Sequence, residues 1–204
     1  MKIICIGRNY LDHAKELGNE APTEPLFFMK PDSAILPLKH PLYIPEFTQD
    51  LHYEVELVVR IGRLGKHIQE EHAHKYYSEI GIGIDFTARD LQDQLKAKGH
   101  PWEKAKAFDG SAAISKDFVD ISSLKDPKSI HFQLLKNGEI VQDGLSSSMI
   151  FGIDKLISEI SKYMTLKIGD LIYTGTPKGV GPVKIGDRLT CVLEGKEMLK
   201  VDIK

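Results

Sequence analysis

Proline and glycine cut this chain into segments that suit short strands better than long helices. Pro31, Pro37, Pro41 and Pro45 follow one another closely, and 17 Gly and 10 Pro are spread over the 204 residues. Between the breaks lie runs of branched and aromatic residues: Ile3–Ile6, Leu26–Lys30, His52 to about Arg60, Ile80–Phe86, Leu171–Thr174, Leu189–Leu193 and Met198–Ile203. Each reads as a strand bounded by turn residues. Ile130–Lys136 and Glu139–Val141 flank Asn137-Gly138, the dipeptide that best fits a two-residue hairpin turn. Helical spacing is confined to Tyr10 to about Leu17, Gln69–Tyr77, Ala88 to about Lys98, and Phe151–Tyr163 with Ile153, Leu156, Ile157 and Ile160. Asn9 and Thr87 are the expected caps of the first and third helices, and Gly18 and Gly99 their stops. The pattern predicts a mostly-β (α+β) roll or sandwich with peripheral helices. No βαβ alternation points to a nucleotide-binding parallel sheet.

Charge excludes several classes of partner. The chain has 27 basic and 29 acidic residues, well mixed, for a net charge of -2. There is no basic stripe for nucleic acid and no basic amphipathic helix for a membrane surface. The apolar run before Gly7 is too short for a signal-peptide core, and nothing approaches a membrane span. Cys5 and Cys191 lie in apolar strands and read as buried free thiols, which fits a reducing cytoplasm.

Against this background the strand around His52–Val59 stands out. Side chains two apart on a strand point the same way, so Glu54 and Glu56 share a face opposite Val55 and Leu57. That face could simply meet solvent. If buried, two carboxylates so close repel, and a hard divalent cation such as Mg²⁺ or Mn²⁺ between them removes the conflict. Asp85 ends the Gly/Ile strand, where a charge needs a partner or a metal; it could complete such a site or cap the helix that follows. His13 and Glu16 lie three apart on one helix face. They suit either an exposed ion pair or a general base whose imidazole is oriented by the carboxylate.

Other candidates are weaker on their own. Lys106 in Trp102–Phe108, and Lys30 before Pro31, could hold an anionic substrate or a developing enolate, or be solvated lysines. Thr174–Pro182 is not a phosphate loop, because no Gly-Lys-Ser/Thr follows at the required spacing. It reads as a rigid loop whose hydroxyls and amides could bind a carboxylate. His67, His72 and His74 lie near Glu70 and Glu71 without zinc-like spacing and read as a solvated helix.

In order along nearly the whole chain, these segments resemble the fumarylacetoacetate hydrolase family. The matching stretches are Gly7-Arg8-Asn9-Tyr10 with His13 and Glu16, Phe27–Pro31, His52–Glu56, Asp85–Gln92, Lys98–Trp102 leading to Lys106, Ser147-Ser148-Met149, and Thr174–Gly181. The resemblance implies a mixed β-roll, a homodimer, and Mg²⁺ or Mn²⁺ held by Glu54, Glu56 and Asp85. It implies a water-activating dyad, His13–Glu16, on a lid helix within residues 1–30. Lys106 would stabilise charge developing on oxygen. Arg8, Lys30, Arg89 and Gln92 would line the substrate side, with Thr176 near the substrate carboxylate. One catalytic domain over residues 1–204, without the additional N-terminal domain of the long members, points to the short branch. The expected reaction is metal-dependent cleavage of acylpyruvates (2,4-diketo acids) to pyruvate and a carboxylic acid. Oxaloacetate decarboxylation and isomerisation of 2-hydroxyhepta-2,4-diene-1,7-dioate are alternatives within the family. A non-enzymatic domain binding small anions is the alternative outside it.

Overall fold

A computed structural model describes every residue except Leu17 and Asn19. In chain order the strands are β1 (Ile3–Gly7), β2 (Leu26–Lys30), β3 (Leu51–Tyr53), β4 (Val55–Ile61), β5 (Tyr77–Asp85), β6 (Thr87–Ala88) and β7 (Ala112–Ile114). They continue as β8 (Val119–Asp120), β9 (His131–Lys136), β10 (Glu139–Leu145), β11 (Leu171–Tyr173), β12 (Gly181–Pro182), β13 (Arg188–Leu193) and β14 (Lys196–Asp202). The helices are α1 (Leu11–Glu16), α2 (Arg89–Ala97), α3 (Glu103–Lys106) and α4 (Ile153–Tyr163), and Glu70–Tyr76 forms a 3₁₀ turn. The mostly-β class with peripheral helices is as the sequence predicts. The predicted end of the first helix at Leu17, and position 19 of the loop that follows, lie outside the described residues.

Seven strands make the main sheet, in the order β2-β1-β11-β4-β5-β7, with β8 also on β5. A four-stranded sheet runs β10-β9-β13-β14, and the short strands β12-β3-β6 form a third. In the main sheet β11 is inserted between β1 and β4. It pairs parallel with β1 (Cys5 opposite Tyr173) and antiparallel with β4 (Tyr173 opposite Val58).

The period-2 pattern sorts side chains between two interiors. Ile4 and Ile6 of β1, Leu57 and Val59 of β4, and Ile80, Ile82 and Ile84 of β5 join one core with Phe132, Leu134, Leu189 and Cys191 of the second sheet. The intervening Ile3, Cys5 and Val58 join a smaller cluster with Tyr173 and Ala112. Both faces of the central strands are therefore buried. The second face also carries Glu56, and at Gly83 the backbone is approached so closely that a Cβ would lie 2.6 Å from the Ala113 carbonyl. The Asn137-Gly138 hairpin forms as expected, with φ of +55° and +90°, the geometry of a primed turn. Cys5 and Cys191 are buried and unpaired, and burial pushes both thiols up.

Three local expectations are corrected by tertiary contacts. The segment predicted as one strand from His52 breaks at Glu54, with β3 joining the small sheet and β4 the large one. Asn9 does not cap α1. Its side chain donates to the Phe151 and Thr174 carbonyls and accepts from the Phe151 amide, tying three loops together. Thr87 lies in β6, and α2 begins after Ala88 with no side-chain cap.

Candidate active site

The break at Glu54 is built from outside the strand. The Val55 amide bonds at 2.9 Å to Oε1 of Gln142, a buried side chain from β10. Gln142 Nε2 donates to Thr176 Oγ1 and the Pro177 carbonyl. One glutamine thus holds the strand break and the Thr174–Pro182 loop in fixed relation. The Glu54 carbonyl accepts from the Asp85 amide at 2.8 Å, which sets the end of β5 beside the break. Glu56 pairs in register with Gly83, two residues before Asp85.

These constraints converge Glu54, Glu56 and Asp85, each about 5% exposed or less. One carboxylate oxygen from each lies within 4.8 Å of the others. The solvent-facing alternative for Glu54 and Glu56 is thereby ruled out. Three cations balance them. Arg89 bonds Glu54 Oε1. Lys106 Nζ bridges Glu54 Oε2 and Asp85 Oδ2 at 2.8 and 2.9 Å. Lys30 Nζ lies 2.8 Å from Asp85 Oδ1.

Burial alone would raise the Glu54 carboxyl, but Lys106, Arg89 and His13 together hold it well below the usual range. Glu56 goes the other way: burial, then the charges of Asp85 and Glu54, push it well above that range. The Gly175 amide, 2.6 Å from Glu56 Oε2, opposes this only in part. Gly175 has φ +98°, and a Cβ there would lie 2.7 Å from Asn9 Cβ, so this amide can be aimed at Glu56 only from a glycine. Asp85 Oδ1 receives no directed hydrogen bond despite its ionic contact with Lys30. Three buried oxygen donors, one oxygen short of a donor, and one carboxyl that burial and like charge drive to keep its proton are the chemistry a hard divalent cation satisfies. The residues fit such an ion.

Beside the carboxylates is a narrow cavity. His13, Arg8, Arg89, Gln92, Lys106 and Thr176 line it, with Phe28 and Trp102 as apolar walls. His13 is buried, and its Nδ1 lies 3.2 Å from Glu16 Oε2. That contact leaves Nε2 for the cavity. Glu16 also accepts from the Gly179 amide at 3.1 Å, and Asp12 pairs with Lys178 at 3.2 Å, so α1 is latched onto the Thr174–Pro182 loop. The carboxylates this loop binds are the chain's own, Glu56 and Glu16 through its amides and Asp12 through Lys178. The Thr174 hydroxyl is turned away to the Leu57 carbonyl.

Of the predicted residues, Glu16, Glu56 and Lys30 do not line the cavity; Glu16 contacts His13, and Glu56 sits with the other two carboxylates. Lys30 is fully buried. Its ammonium bonds the Lys106 carbonyl and the Ser111 carbonyl and hydroxyl. Lys30 is a counter-ion behind Asp85 rather than a substrate ligand, because the strand preceding Pro31 runs into the sheet interior. Sequence reasoning missed Gln142, whose partners are remote in the chain. It also missed Lys96, which the spacing from Arg89 and Gln92 could have revealed. His67, His72 and His74 take no part in the site. Among the described residues, the Glu54–Glu56–Asp85 group is the one set of potential metal ligands, and no helix is long and apolar enough to cross a membrane.

Residues 2–204 match the family described as fumarylacetoacetate (FAA) hydrolase C-terminal. The chain is 44% identical over 202 residues to the mitochondrial oxaloacetate tautomerase FAHD1 of Bos taurus, covering 99% of this chain and 91% of that protein. It is 45% identical over 195 residues to the mitochondrial oxaloacetate decarboxylase of Dictyostelium discoideum, covering 95% and 89%. It superposes with a TM-score of 0.93, at 36% identity, on fumarylpyruvate hydrolase from Pseudomonas aeruginosa in complex with Mn²⁺ and pyruvate, covering 100% and 89%.

Proposed function

Because the chain belongs to the fumarylacetoacetate hydrolase family, we propose that its cavity moves a proton at the carbon next to the keto group of a short 2-keto acid, with oxaloacetate keto–enol tautomerisation as the principal reaction. The observation that carries this reading is His13, fixed by Glu16, sharing one narrow cavity with the buried ammonium of Lys106. The identity to an oxaloacetate tautomerase supports the choice of substrate.

With Mg²⁺ or Mn²⁺ held by Glu54, Glu56 and Asp85, the site gains a Lewis acid for the substrate's keto and carboxylate oxygens. Lys106 is held beside these carboxylates by Glu54 Oε2 and Asp85 Oδ2, which keeps its ammonium at the cavity wall. Arg89, Gln92 and Thr176 orient the keto acid's carboxylate. His13 takes the proton from carbon 3, and the C–H electron pair moves toward the keto oxygen. Lys106 stabilises the charge that develops there. Protonation of that oxygen completes the enol, and the reverse path returns the ketone. Lys30 positions Asp85 from behind.

Cleavage of acylpyruvates is the second reading, favoured by the same dyad. His13 would take its proton from water, which attacks the distal carbonyl, and the departing pyruvate carbon would be protonated. Helix α1, which brings His13 to the cavity, would act as its lid. A homodimer in a cytoplasm-like reducing compartment, where the buried thiols would stay unpaired, completes the proposal; light scattering reads the assembly.

The test follows the enol absorbance of oxaloacetate with Mg²⁺ present. His13→Ala should slow interconversion by about 10²–10⁴-fold while leaving Mg²⁺ affinity near normal. An alanine variant as fast as the parent removes His13 from the reaction.

A further inference from the structure

Helix α2 carries Arg89, Gln92 and Lys96 at i, i+3 and i+7, a single stripe of its surface, and all three line the cavity. Their surroundings differ. Arg89 is neutralised by Glu54. The one ion-pair partner of Lys96 among the described residues is Asp93, at 3.9 Å and with its side chain 66% exposed. The Lys96 side chain is itself only 26% exposed, and its ammonium sits 5.6 Å from the centre of the Trp102 ring. Arg8 reaches the same cavity from the turn between β1 and α1, where its φ of +58° is a left-handed conformation rarely taken by a residue other than glycine. Burial first, then Arg89 and Arg8, press the Lys96 ammonium below its usual pKa, against the opposing pull of Asp93 and Glu54. Deeper in, Arg89, Lys106 and Lys30 each pair with a buried carboxylate. Among the described residues Arg8 has no ion-pair partner, and Lys96 has only the exposed Asp93. A partly desolvated pair of like charges, held there by helix spacing on one side and a strained turn on the other, is only weakly neutralised, by the exposed Asp93.

We propose that Lys96 and Arg8 form a second-carboxylate subsite, so that the cavity selects 2-keto acids carrying an anionic group at the end remote from the keto acid function. This rests on the keto acid reading above, whose principal substrate already carries a second carboxylate, and assigns the residues that hold that group. Lys96 acts on specificity, not on the proton transfer. Arg8 holds the same remote carboxylate, and Trp102 confines the chain between the two ends.

The experiment compares two stable probes that differ only in the remote group, 2-oxoglutarate and 2-oxopentanoate. Their Kd values are measured by calorimetry with Mg²⁺ for the parent, Lys96→Met and Lys96→Arg. The parent should bind 2-oxoglutarate at least about tenfold tighter, the advantage of a charge-assisted pair. Lys96→Met should erase that preference by weakening 2-oxoglutarate alone, and Lys96→Arg should keep most of it. On oxaloacetate, Lys96→Met should raise KM by about tenfold with kcat within about twofold. Equal affinity of the parent for both probes overturns the subsite and leaves the keto acid reading intact, as does a methionine variant that weakens both probes alike or neither. A parent that binds neither probe overturns both. A parent that keeps the preference but does not tautomerise oxaloacetate supports the subsite and sinks the principal reaction.

Discussion

The floor and the mouth of the cavity are built on opposite plans. In the floor, Glu54, Glu56 and Asp85 are nearly inaccessible and held from several directions by Lys106, Arg89, Lys30 and the Gly175 amide. At the mouth, Arg8 and Lys96 are partly exposed, and α1 is attached by one exposed ion pair and one shared carboxylate. A buried charged group tolerates no loss of its partner, whereas an exposed one loses little. The floor is therefore where chemistry can be fixed, and the mouth is where substrate choice can vary without unfolding the protein.

The sharpest way to break this contrast is Asp85→Asn. It leaves Lys30 and Lys106 facing a neutral group, so unfolding free energy should drop by about 3–5 kcal/mol in denaturant titration. Turnover should fall on the order of a thousandfold. Gly175→Ala comes next. The left-handed backbone and the approach to Asn9 should cost about 1–3 kcal/mol, with weaker Mg²⁺ binding as the Glu56 amide contact shifts.

A pH titration sharpens the comparison without a substitution. Glu56 is raised, so in the metal-free protein its favourable contribution is complete below the ordinary glutamate pKa and is lost as pH rises through the raised value. Glu54 is lowered, and its contribution is already complete above the ordinary glutamate pKa, so it stays constant over that window. Metal-free Tm should therefore decline as pH rises, and Mg²⁺ should abolish the decline. Mg²⁺ affinity should improve by about tenfold per pH unit until Glu56 ionises unaided, with a proton released on binding. At the mouth, Lys178→Ala should change stability by about 0.5 kcal/mol or less and turnover by less than about twofold, since its bond to Asp12 is exposed. A large loss there would mean that the latch on α1 is part of the fixed floor.

What could be read from the chain alone divides along a similar line. Period 2 put Glu54 and Glu56 together, helical spacing paired His13 with Glu16, and the Asn-Gly turn marked the hairpin, because each of these signals is local. Asn9 and Thr87 have the chemistry of caps, but Asn9 is spent on partners far along the chain and Thr87 is absorbed into a strand. The break at Glu54 has no local cause; it depends on Gln142, a polar residue at an irregularity of β10. Lys30 was misplaced for a related reason: a lysine beside a proline looks solvated until the sheet is assembled around it.

The parallel wedge of β11 between β1 and β4 also has a consequence for how the molecule comes into being. Strand β1 can pair early with β2, but its other edge cannot find β11 until residues 171–173 have been synthesised, and the glycine that steadies Glu56 follows two positions later. Such distant pairing slows folding and leaves the early strands with bare edges on a growing chain. A ribosome-stalled fragment ending before Leu171 should therefore cling to chaperones and bind no Mg²⁺, so that the carboxylate site forms only once residues 171–175 have been made.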